Sequence, residues 1–253
     1  MMINTSNKNV DELINLLLSK ITNILRKEFI GMYLSGSLAL DDFAPDRSDI
    51  DLVVVTKNAL PEKNLKELRV MHDEVVASKL TYSKRTECIY IPIDSLINYS
   101  QKNAYFPCLH VGGDFYVDGF GIIEKHILRE KGKVISGPDP KSFIKPVNSN
   151  GLKKAALDSL KEWWLPQLTD HSKLVRDDYQ VYAVLTMCRA FYTLQFGEIV
   201  SKSVAAKYTR EMLDTKWTKL IEDALAWKDK ERFNKLAETL DLIKFTLKKA
   251  SLS

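Results

Sequence analysis

The chain has 253 residues, 45% of them apolar, with a formal net charge of +4. A chain of this length and composition can bury a substantial core, as one large domain or two small ones. Its Lys and Arg residues are spread along the sequence rather than clustered, which argues against a dedicated nucleic-acid-binding protein and leaves room for a small polyanionic ligand.

Cysteine usage and hydropathy exclude further classes of protein. Cys88, Cys108 and Cys188 lie far apart and lack CxxC spacing, which indicates reduced thiols rather than a disulfide framework or a zinc site. No apolar run approaches the roughly 18 residues that cross a bilayer, and the amphipathic start lacks a signal-peptide layout. We therefore expect a cytoplasmic protein without a membrane partner, and a monomer.

The first half of the chain alternates helical and strand patterns, with hydrophobic spacings of three and four in the helices. The predicted elements are a helix over 10–29, a strand over 30–34, a short helix over 38–43, a strand that opens at Asp49-Ile50-Asp51, a helix over 61–79, a strand over 85–93, a loop-rich connector over 94–117, a helix over 120–131 and a strand over 134–136. Gly137-Pro138 then ends the regular structure.

Two aspartates open the second strand. Side chains alternate along a strand, so Asp49 and Asp51 share one face while Ile50 points into the core. Mg²⁺ is usually held by one or two carboxylates together with substrate phosphates, so the pair suits a metal bound to a nucleotide. Upstream, Gly36 in Ser35-Gly36-Ser37 lets backbone N–H groups approach a phosphate. The alternative is a plain turn followed by a solvated strand end.

Glu87 is the third acidic residue of interest. It lies on the face of the predicted third strand that Ile89 and Ile91 share, and an acid in an apolar strand is costly to bury unless it is paired or binds a metal. From the residues alone, Glu87 could be a third metal ligand or a surface strand residue. In the connector, His110, Asp114 and Tyr116 could face a substrate, but a lone histidine is more often structural.

Gly36-Ser37 followed after twelve residues by Asp49-Ile50-Asp51 resembles the signature of the nucleotidyltransferase superfamily that includes DNA polymerase beta-like enzymes. Within it, the chain looks most similar to the aminoglycoside adenylyltransferases that act on spectinomycin and streptomycin. The resemblance implies that Asp49, Asp51 and Glu87 are catalytic and metal-binding, with Glu87 as general base on the acceptor hydroxyl. It also implies that Ser35, Gly36 and Ser37 position the triphosphate of ATP.

From Asn150 onward the periodicity is helical. The predicted helices span 152–168, 179–196, 201–213, 215–228 and 232–252. An α/β half before an all-helical half predicts two domains. We expect an α+β protein with a nucleotidyltransferase domain over 1–147, built on a small mixed sheet, and a helical bundle domain over 148–253 that completes the pocket.

The helical half adds further candidates through the same resemblance. Asp177 or Asp178 would contact a cationic acceptor, although an N-cap that also complements the helix macrodipole is an alternative reading. Arg189 and Lys202 would bind phosphate, the latter near a helix N-terminus, and Trp227 would lie near the nucleotide. The family members that also accept streptomycin carry a Trp and an Asp just ahead of this aspartate, which the chain lacks, so spectinomycin is favoured over streptomycin.

The resulting hypothesis is Mg²⁺-dependent transfer of AMP from ATP to a hydroxyl of an aminoglycoside or aminocyclitol, with release of pyrophosphate. One alternative is nucleotidyl transfer to another acceptor, such as a lincosamide, a protein hydroxyl or an RNA end, and the missing basic cluster argues against RNA. A second alternative is a nucleotide-binding module without catalysis, which would have no need of a third carboxylate on the same face.

Overall fold

The structure is a computed structural model that describes residues 5–251. Its helices are α1 Lys8–Leu25, α2 Gly36–Ala39, α3 Glu62–Ala77, α4 Ile93–Ile97, α5 Ile122–Lys131, α6 Ser149–Ser159, α7 Asp177–Phe196, α8 Lys202–Met212, α9 Thr215–Ala226 and α10 Leu236–Ala250. Its strands are β1 Phe29–Leu34, β2 Ile50–Thr56, β3 Thr86–Pro92, β4 Tyr105–Leu109, β5 Phe115–Gly119 and β6 Lys133–Ser136.

The six strands form one mixed sheet in the order β5-β4-β3-β2-β1-β6. β2 and β3 are parallel, because α3 carries the chain back across the sheet between them. The other neighbouring pairs are antiparallel. A mixed sheet with helices, followed by a helical region, confirms the predicted α+β class.

Each face of the sheet packs against its own layer of side chains. Leu52, Val54, Cys88 and Tyr90 face α1 and α3 in one apolar cluster. The alternate residues of the same two strands, including Val53 and Ile89, face α4, α5 and Ile144 in a second cluster. This alternation places Asp51 and Glu87 on the side of the second cluster, at the beginning of their strands.

By its internal contacts the chain forms two units. The first contains the described residues up to Ala44 together with Ser48–Pro146, and the second contains Pro45–Arg47 and the described residues from Val147 onward. The second unit has a core of its own, to which α7, α8, α9 and α10 contribute. Among the helices of residues 5–251, none has the length and hydropathy that a membrane crossing requires.

The prediction for residues 94–117 was wrong in one respect, because that connector contains α4, β4 and most of β5. The two strands form an antiparallel hairpin in which Pro107 is paired with Val117. Its turn uses Gly112 and Gly113 at φ values of +97° and +106°. Pro and paired Gly usually mark irregular structure, and β5 is largely exposed, so no alternating apolar pattern revealed it.

Two predicted helices of the second half differ from the observed ones. The helix predicted over 152–168 ends at Ser159 and continues as a π-helical turn, Leu160–Trp164, ahead of Pro166, which has no N–H for a helical ladder. The helix predicted from 232 begins at Leu236, because side chains of α7 hold residues 233–235 in an irregular loop. Its predicted end at 252 lies outside the described residues.

Candidate active site

Asp51 and Glu87 lie side by side on the two parallel strands. The register pairs Asp51 of β2 with Glu87 of β3, and each is the second residue of its strand. Since both precede apolar residues of the same face, both carboxylates lie on that face of the sheet. The parallel register therefore brings together two of the three predicted acids.

Gly36 packs directly against Asp51. Its φ is +54°, and a Cβ built on it would overlap the Asp51 carboxylate, coming within 2.5 Å of Cγ. The backbone N–H of Ser35 also donates to the carbonyl oxygen of Asp51 at 2.9 Å. Only glycine combines this left-handed conformation with so close an approach. The glycine turn and the strand-borne carboxylate thus form one local structure.

Ser37 has a polar group suited to a ligand. Its hydroxyl oxygen is buried and has no hydrogen-bond partner among the described residues. Buried hydroxyls in proteins are normally satisfied, so an orphaned one next to Gly36 is the kind of donor that a phosphate oxygen can use.

Glu87 is held in an environment that disfavours its charge. Burial is the main cause, followed by the negative charges of Asp51, Asp49 and Asp118, and together they raise the pKa of Glu87 to about 7. A hydrogen bond from the backbone of Val111 opposes the shift. A carboxyl group with a pKa near neutrality is well matched to accepting a proton at physiological pH.

Asp49 is held differently from the other two acids. It precedes β2, so no sheet ladder fixes it, and its side chain is 42% exposed. The Nε atom of Arg85 lies 3.5 Å from Asp49 Oδ1, and the same guanidinium donates to the carbonyl oxygen of Ser48. Arg85, which immediately precedes β3, therefore contacts both the carbonyl oxygen of Ser48 and the carboxylate of Asp49.

The donor set suits Mg²⁺ that arrives with a nucleotide. Within residues 5–251 no three His, Cys, Asp or Glu side chains are grouped as a ready metal cage. Mg²⁺ needs only one or two carboxylates when phosphates and water complete its coordination, and the Asp51 carboxylate packed on Gly36 offers such a ligand. Oxygen ligands without sulfur or imidazole also fit this hard cation better than zinc.

The second unit distinguishes the two neighbouring aspartates at the start of α7. Asp177 Oδ1 accepts from the backbone N–H groups of Phe233 and Asn234 at 3.0 and 2.9 Å, and these bonds lower the pKa of Asp177. Asp178 instead pairs with Arg176 through two hydrogen bonds. The Asp177 side chain is 19% exposed and that of Asp178 45%. Neither carboxylate caps its own helix, so the N-cap part of the alternative reading was wrong, whereas both lie in the first turn of α7, where a negative charge complements the helix macrodipole.

Two of the candidate residues, Asp178 and Arg189, lie along one side of α7 together with Tyr182. Asp178, Tyr182 and Arg189 are four and seven residues apart, spacings that place side chains on a common helix face. Lys202, the first residue of α8, extends its ammonium group over the ring of Tyr182, 4.2 Å from the centroid. The second unit thereby collects one acidic and two basic candidates on one side of this helix.

Trp227 differs from these residues in its surroundings. Its ring belongs to the apolar core of the second unit and is 9% exposed. Its indole N–H donates to the carbonyl oxygen of Glu231 at 3.0 Å. The structure thus gives Trp227 a packing role, and its contact with a nucleotide stays a prediction.

Sequence reasoning missed Asp118, whose negative charge contributes to the raised pKa of Glu87. The β3–β4 register ends with Cys88 paired with Leu109, and the next residues of the two strands' chains are Glu87 and His110. His110 stacks on Tyr116 at 3.7 Å between ring centroids, and its Nδ1 lies 3.8 Å from Asp118 Oδ2. The signal that could have revealed this group is Gly112-Gly113 as a hairpin turn, since a hairpin brings the residues on either side of it together.

These features together define the class of the protein. A glycine turn packed against a strand-borne aspartate, with a glutamate in register on the next strand, is the arrangement that the resemblance to nucleotidyltransferases implies. A model described as "Nucleotidyltransferase domain" matches residues 18–104, which contain this turn and all three acids. The molecule is an enzyme of the nucleotidyltransferase class.

A second match covers the helical region. The model described as "Aminoglycoside adenylyltransferase, C-terminal domain" matches residues 142–249. With both halves matched in this order, the chain belongs to the aminoglycoside adenylyltransferase family of nucleotidyltransferases.

Individual relatives agree with this assignment. The chain is 27% identical over 217 residues to a protein named spectinomycin 9-adenylyltransferase from Staphylococcus aureus, an alignment that covers 81% of this chain and 79% of the relative. It is 27% identical over 228 residues to a protein of the same name from Campylobacter jejuni, with 83% and 82% covered.

A solved structure shares the fold. The spectinomycin adenyltransferase AAD(9) from Enterococcus faecialis, crystallised with ATP and spectinomycin, superposes with a TM-score of 0.71. The match covers 95% of this chain and 98% of the other at 18% sequence identity.

Proposed function

We propose that the protein transfers AMP from ATP to a hydroxyl group of an aminocyclitol or aminoglycoside, with spectinomycin as the favoured acceptor and pyrophosphate as the second product. The observation that carries the proposal is the in-register pair of Asp51 and Glu87 beside Gly36. The names of the relatives from Staphylococcus aureus and Campylobacter jejuni support spectinomycin as the acceptor.

In the proposed reaction the acceptor oxygen attacks the α-phosphorus of ATP. A bond from this oxygen to the phosphorus forms, the bond to the bridging oxygen of the β-phosphate breaks, and the hydroxyl proton passes to Glu87. The pKa of about 7 leaves a large fraction of Glu87 ionised at neutral pH and able to accept that proton. Pyrophosphate leaves with the electrons of the broken bond.

We assign binding of the triphosphate to the residues of the glycine turn and to two cationic side chains. Ser35, Gly36 and Ser37 are placed to donate backbone and hydroxyl hydrogen bonds to phosphate oxygens, and the orphaned hydroxyl of Ser37 supports this role. Arg189 and Lys202 of the second unit are the proposed cationic contacts. Asp49 and Asp51, with Glu87 as a third ligand, would hold Mg²⁺, which would supply positive charge against the phosphate oxygens.

We assign the cationic acceptor to Asp178 rather than Asp177. The Asp177 carboxylate is occupied by two backbone N–H groups, whereas Asp178 is more exposed and its partner Arg176 is itself a surface side chain. An amino group of the acceptor can compete for such an exposed pair at low cost, because exposed ion pairs contribute about 0–1 kcal/mol.

The first test is direct. The protein is incubated with ATP labelled at the α-phosphate, with Mg²⁺ and separately with spectinomycin, streptomycin, other aminoglycosides and a lincosamide, and the products are examined for an AMP adduct. We expect an adduct with spectinomycin and its loss in Glu87→Ala, with ATP binding retained. The matched control is Glu162→Ala, at an exposed position of the π-helical turn, which should leave the reaction unchanged.

Other outcomes discriminate among the alternatives. An adduct only with another acceptor would keep the transferase chemistry and replace the substrate. Binding of ATP without any adduct would favour the module that binds nucleotides without catalysis. Full activity of Glu87→Ala would remove the base from the mechanism.

A further inference from the structure

The turn of the β4–β5 hairpin lies beside Glu87. The pairing of β4 with β3 ends at Leu109, and three residues later the backbone N–H of Gly112 donates to the carbonyl oxygen of Lys84 at 2.9 Å. The two residues between these anchors, 110 and 111, therefore run alongside the start of β3. The hairpin and β3 both belong to the first unit.

His110 extends β4 on the side of β5. Its backbone N–H donates to the carbonyl oxygen of Asp114 at 2.7 Å, and its carbonyl oxygen accepts from the N–H of Gly113 at 3.0 Å. These bonds continue the antiparallel ladder of the hairpin. Since side chains alternate along a strand, the ring of His110 lies on the face that carries Cys108, which is also the face of Glu87.

The ring of His110 connects β4 to β5. It stacks on the ring of Tyr116, with 3.7 Å between the centroids and 10° between the ring planes. Its Nδ1 atom lies 3.8 Å from Oδ2 of Asp118, and its side chain is 11% exposed. Tyr116 and Asp118 are two residues apart on β5 and share one face of that strand. The stack therefore fixes the last ladder residue ahead of the turn.

Val111 links this stack to Glu87. The backbone of Val111 donates a hydrogen bond to the Glu87 carboxylate. The next residue, Gly112, has a φ of +97°, and glycine gives a turn much conformational freedom. The hydrogen bond of Gly112 to Lys84 restrains Val111 from one side. The stacked ring of His110 restrains it from the other.

The bond from Val111 favours the form of Glu87 that the reaction needs. An N–H donor stabilises a charged carboxylate, and because a hydrogen bond is directional it also selects one orientation of the carboxylate. A general base must lie within hydrogen-bond reach of the proton that it abstracts. Loss of the bond would leave the backbone of Glu87 on β3 but would allow its carboxylate to turn.

We propose that His110 is a positioning residue for the reaction: by stacking on Tyr116 it holds the backbone N–H of Val111 against Glu87 and so orients the base. This inference rests on the proposed function, in which Glu87 accepts the proton of the acceptor hydroxyl. The competing explanation is that the stack only stabilises the hairpin. A purely stabilising stack would change the thermal midpoint, whereas a positioning residue would also lower kcat.

The kinetic experiment compares His110→Ala, His110→Phe and Tyr116→Ala with the wild type. We expect His110→Ala to lower kcat by about 10- to 100-fold, less than the 10²- to 10⁴-fold contribution of a general base, with the KM for ATP unchanged. His110→Phe keeps a ring on Tyr116 and should restore most of the loss. Tyr116→Ala should resemble His110→Ala, and the double variant should be no slower than either, because both changes remove the same contact.

The matched control is Tyr105→Ala. This ring is 65% exposed on the same hairpin, at the end away from the turn, and it pairs with Gly119. Its removal should leave kcat and both KM values at those of the wild type.

Amide hydrogen exchange of the full-length protein, followed by NMR in EDTA without nucleotide, provides a readout without turnover. The Val111 amide should exchange about tenfold faster in Glu87→Ala, as expected for the loss of one hydrogen bond to a charged group. His110→Ala should have the same effect, and combining it with Glu87→Ala should add nothing. His110→Phe should exchange like the wild type, and the amides of β2 serve as an internal reference.

Several results would overturn the inference. A lower thermal midpoint of His110→Ala with the kcat of Tyr105→Ala would reduce the stack to hairpin stability. Equal losses of kcat in His110→Phe and His110→Ala would contradict a role through stacking. Additive exchange rates in the combination with Glu87→Ala would separate His110 from the base. If His110→Ala does not fold, Tyr116→Ala, which removes the exposed partner of the stack, decides by the same criteria.

The failure of this inference is separable from failure of the proposed function. An inactive wild-type protein would contradict the transferase, while exchange at Val111 would still test the link from His110 to Glu87. An active wild-type enzyme whose His110→Ala variant behaves like Tyr105→Ala would contradict the positioning role alone.

Discussion

The surroundings of Glu87 suit proton transfer, but they lower the stability of the folded protein when its carboxylate is charged. Burial and three neighbouring carboxylates raise its pKa from 4.5 to about 7. For a raised carboxyl pKa, stability is fully present below the unfolded pKa of 4.5 and is lost as pH rises through about 7. The charged form of the residue that the mechanism needs is therefore the form that destabilises the folded protein.

Replacing Glu87 by Gln should stabilise the protein at alkaline pH while it removes activity. The pKa difference predicts a gain of up to about 3 kcal/mol at pH ~8 over wild type and almost none near pH ~4.5. Urea unfolding of both proteins in EDTA at the two pH values measures this. Glu162→Gln at an exposed position serves as control and should follow wild type.

An equal stability of Glu87→Gln and wild type at pH ~8 would show that Glu87 is better solvated than its place on β3 indicates. Addition of Mg²⁺ should narrow the difference, because a cation bound near Glu87 offsets the repulsion from Asp49 and Asp51.

At the scale of elements, α7 organises the second unit from its first turn. Asp177 binds the N–H groups of Phe233 and Asn234, and Gln180 Oε1 accepts from the N–H of Lys235 at 2.7 Å. The backbone N–H groups of the loop ahead of α10 lie outside any sheet or helix, and these side chains accept their hydrogen bonds. The loop is thereby fixed against α7 without regular structure of its own.

The two aspartates of α7 should therefore separate stability from substrate binding. Asp177→Ala leaves two backbone donors without a protein partner and should lower the free energy of unfolding by about 1–2 kcal/mol. Asp178→Ala removes only an exposed pair and should stay within about 0.5 kcal/mol of wild type, while the KM for spectinomycin rises. Urea unfolding and steady-state kinetics on both variants provide the measurements.

A reversal of this pattern, with Asp177→Ala changing the KM alone, would return the acceptor contact to Asp177. Equal losses of stability would mean that Arg176 and Asp178 form part of the packed structure rather than an exposed pair.

The elements that the sequence predicted best are those whose pattern is local. β2 and β3 contain short, nearly continuous apolar runs, and the alternation of side chains along a strand placed Asp49 with Asp51 on one face of β2 and Glu87 with Ile89 and Ile91 on one face of β3. The local pattern could not provide the register between the two strands, which depends on α3 and the chain crossover. The β4–β5 hairpin was missed because Pro107 and the exposed β5 hide the strand pattern.

Contacts between residues that are distant in the sequence could not be predicted from local patterns either. The guanidinium of Arg47 donates to the carbonyl oxygen of Ala224, 177 residues away, and nothing in the sequence near Arg47 distinguishes a helix-capping arginine from a solvated one. The same applies to Asp177, whose partners lie more than 50 residues downstream. Residue types and their spacing indicated the chemistry of the site. The long-range hydrogen bonds of Arg47 and Asp177, which fix the segments that they contact, could not be predicted from the sequence.

At the scale of the whole molecule, the buried His72 and the half-buried Glu87 make contributions of opposite pH dependence to the stability of the protein. His72 of α3 is 1% exposed, with Nε2 2.6 Å from the hydroxyl of Tyr90, and burial lowers its pKa from 6.5 to about 4. Its stability contribution is present above the unfolded pKa of 6.5 and is lost as pH falls toward about 4. Glu87, on the other face of the sheet, loses stability in the opposite direction.

Because the two windows overlap between pH ~4.5 and ~6.5, the two contributions should nearly cancel there, each at up to about 1.4 kcal/mol per pH unit. Glu87→Gln leaves His72 alone, so its stability should rise with pH by up to about 3 kcal/mol across this window relative to wild type. His72→Phe leaves Glu87 alone and should show the opposite slope, with a lower overall stability because Tyr90 loses a partner.

The slopes are measured by urea unfolding at half-unit pH steps. The proteins compared are the wild type, the two single variants, the double variant and His171→Gln, which serves as an exposed control. Parallel profiles for all the proteins would show that neither group controls the pH dependence, whereas opposite slopes in the two single variants and a flat profile in both the wild type and the double variant would assign it to this pair.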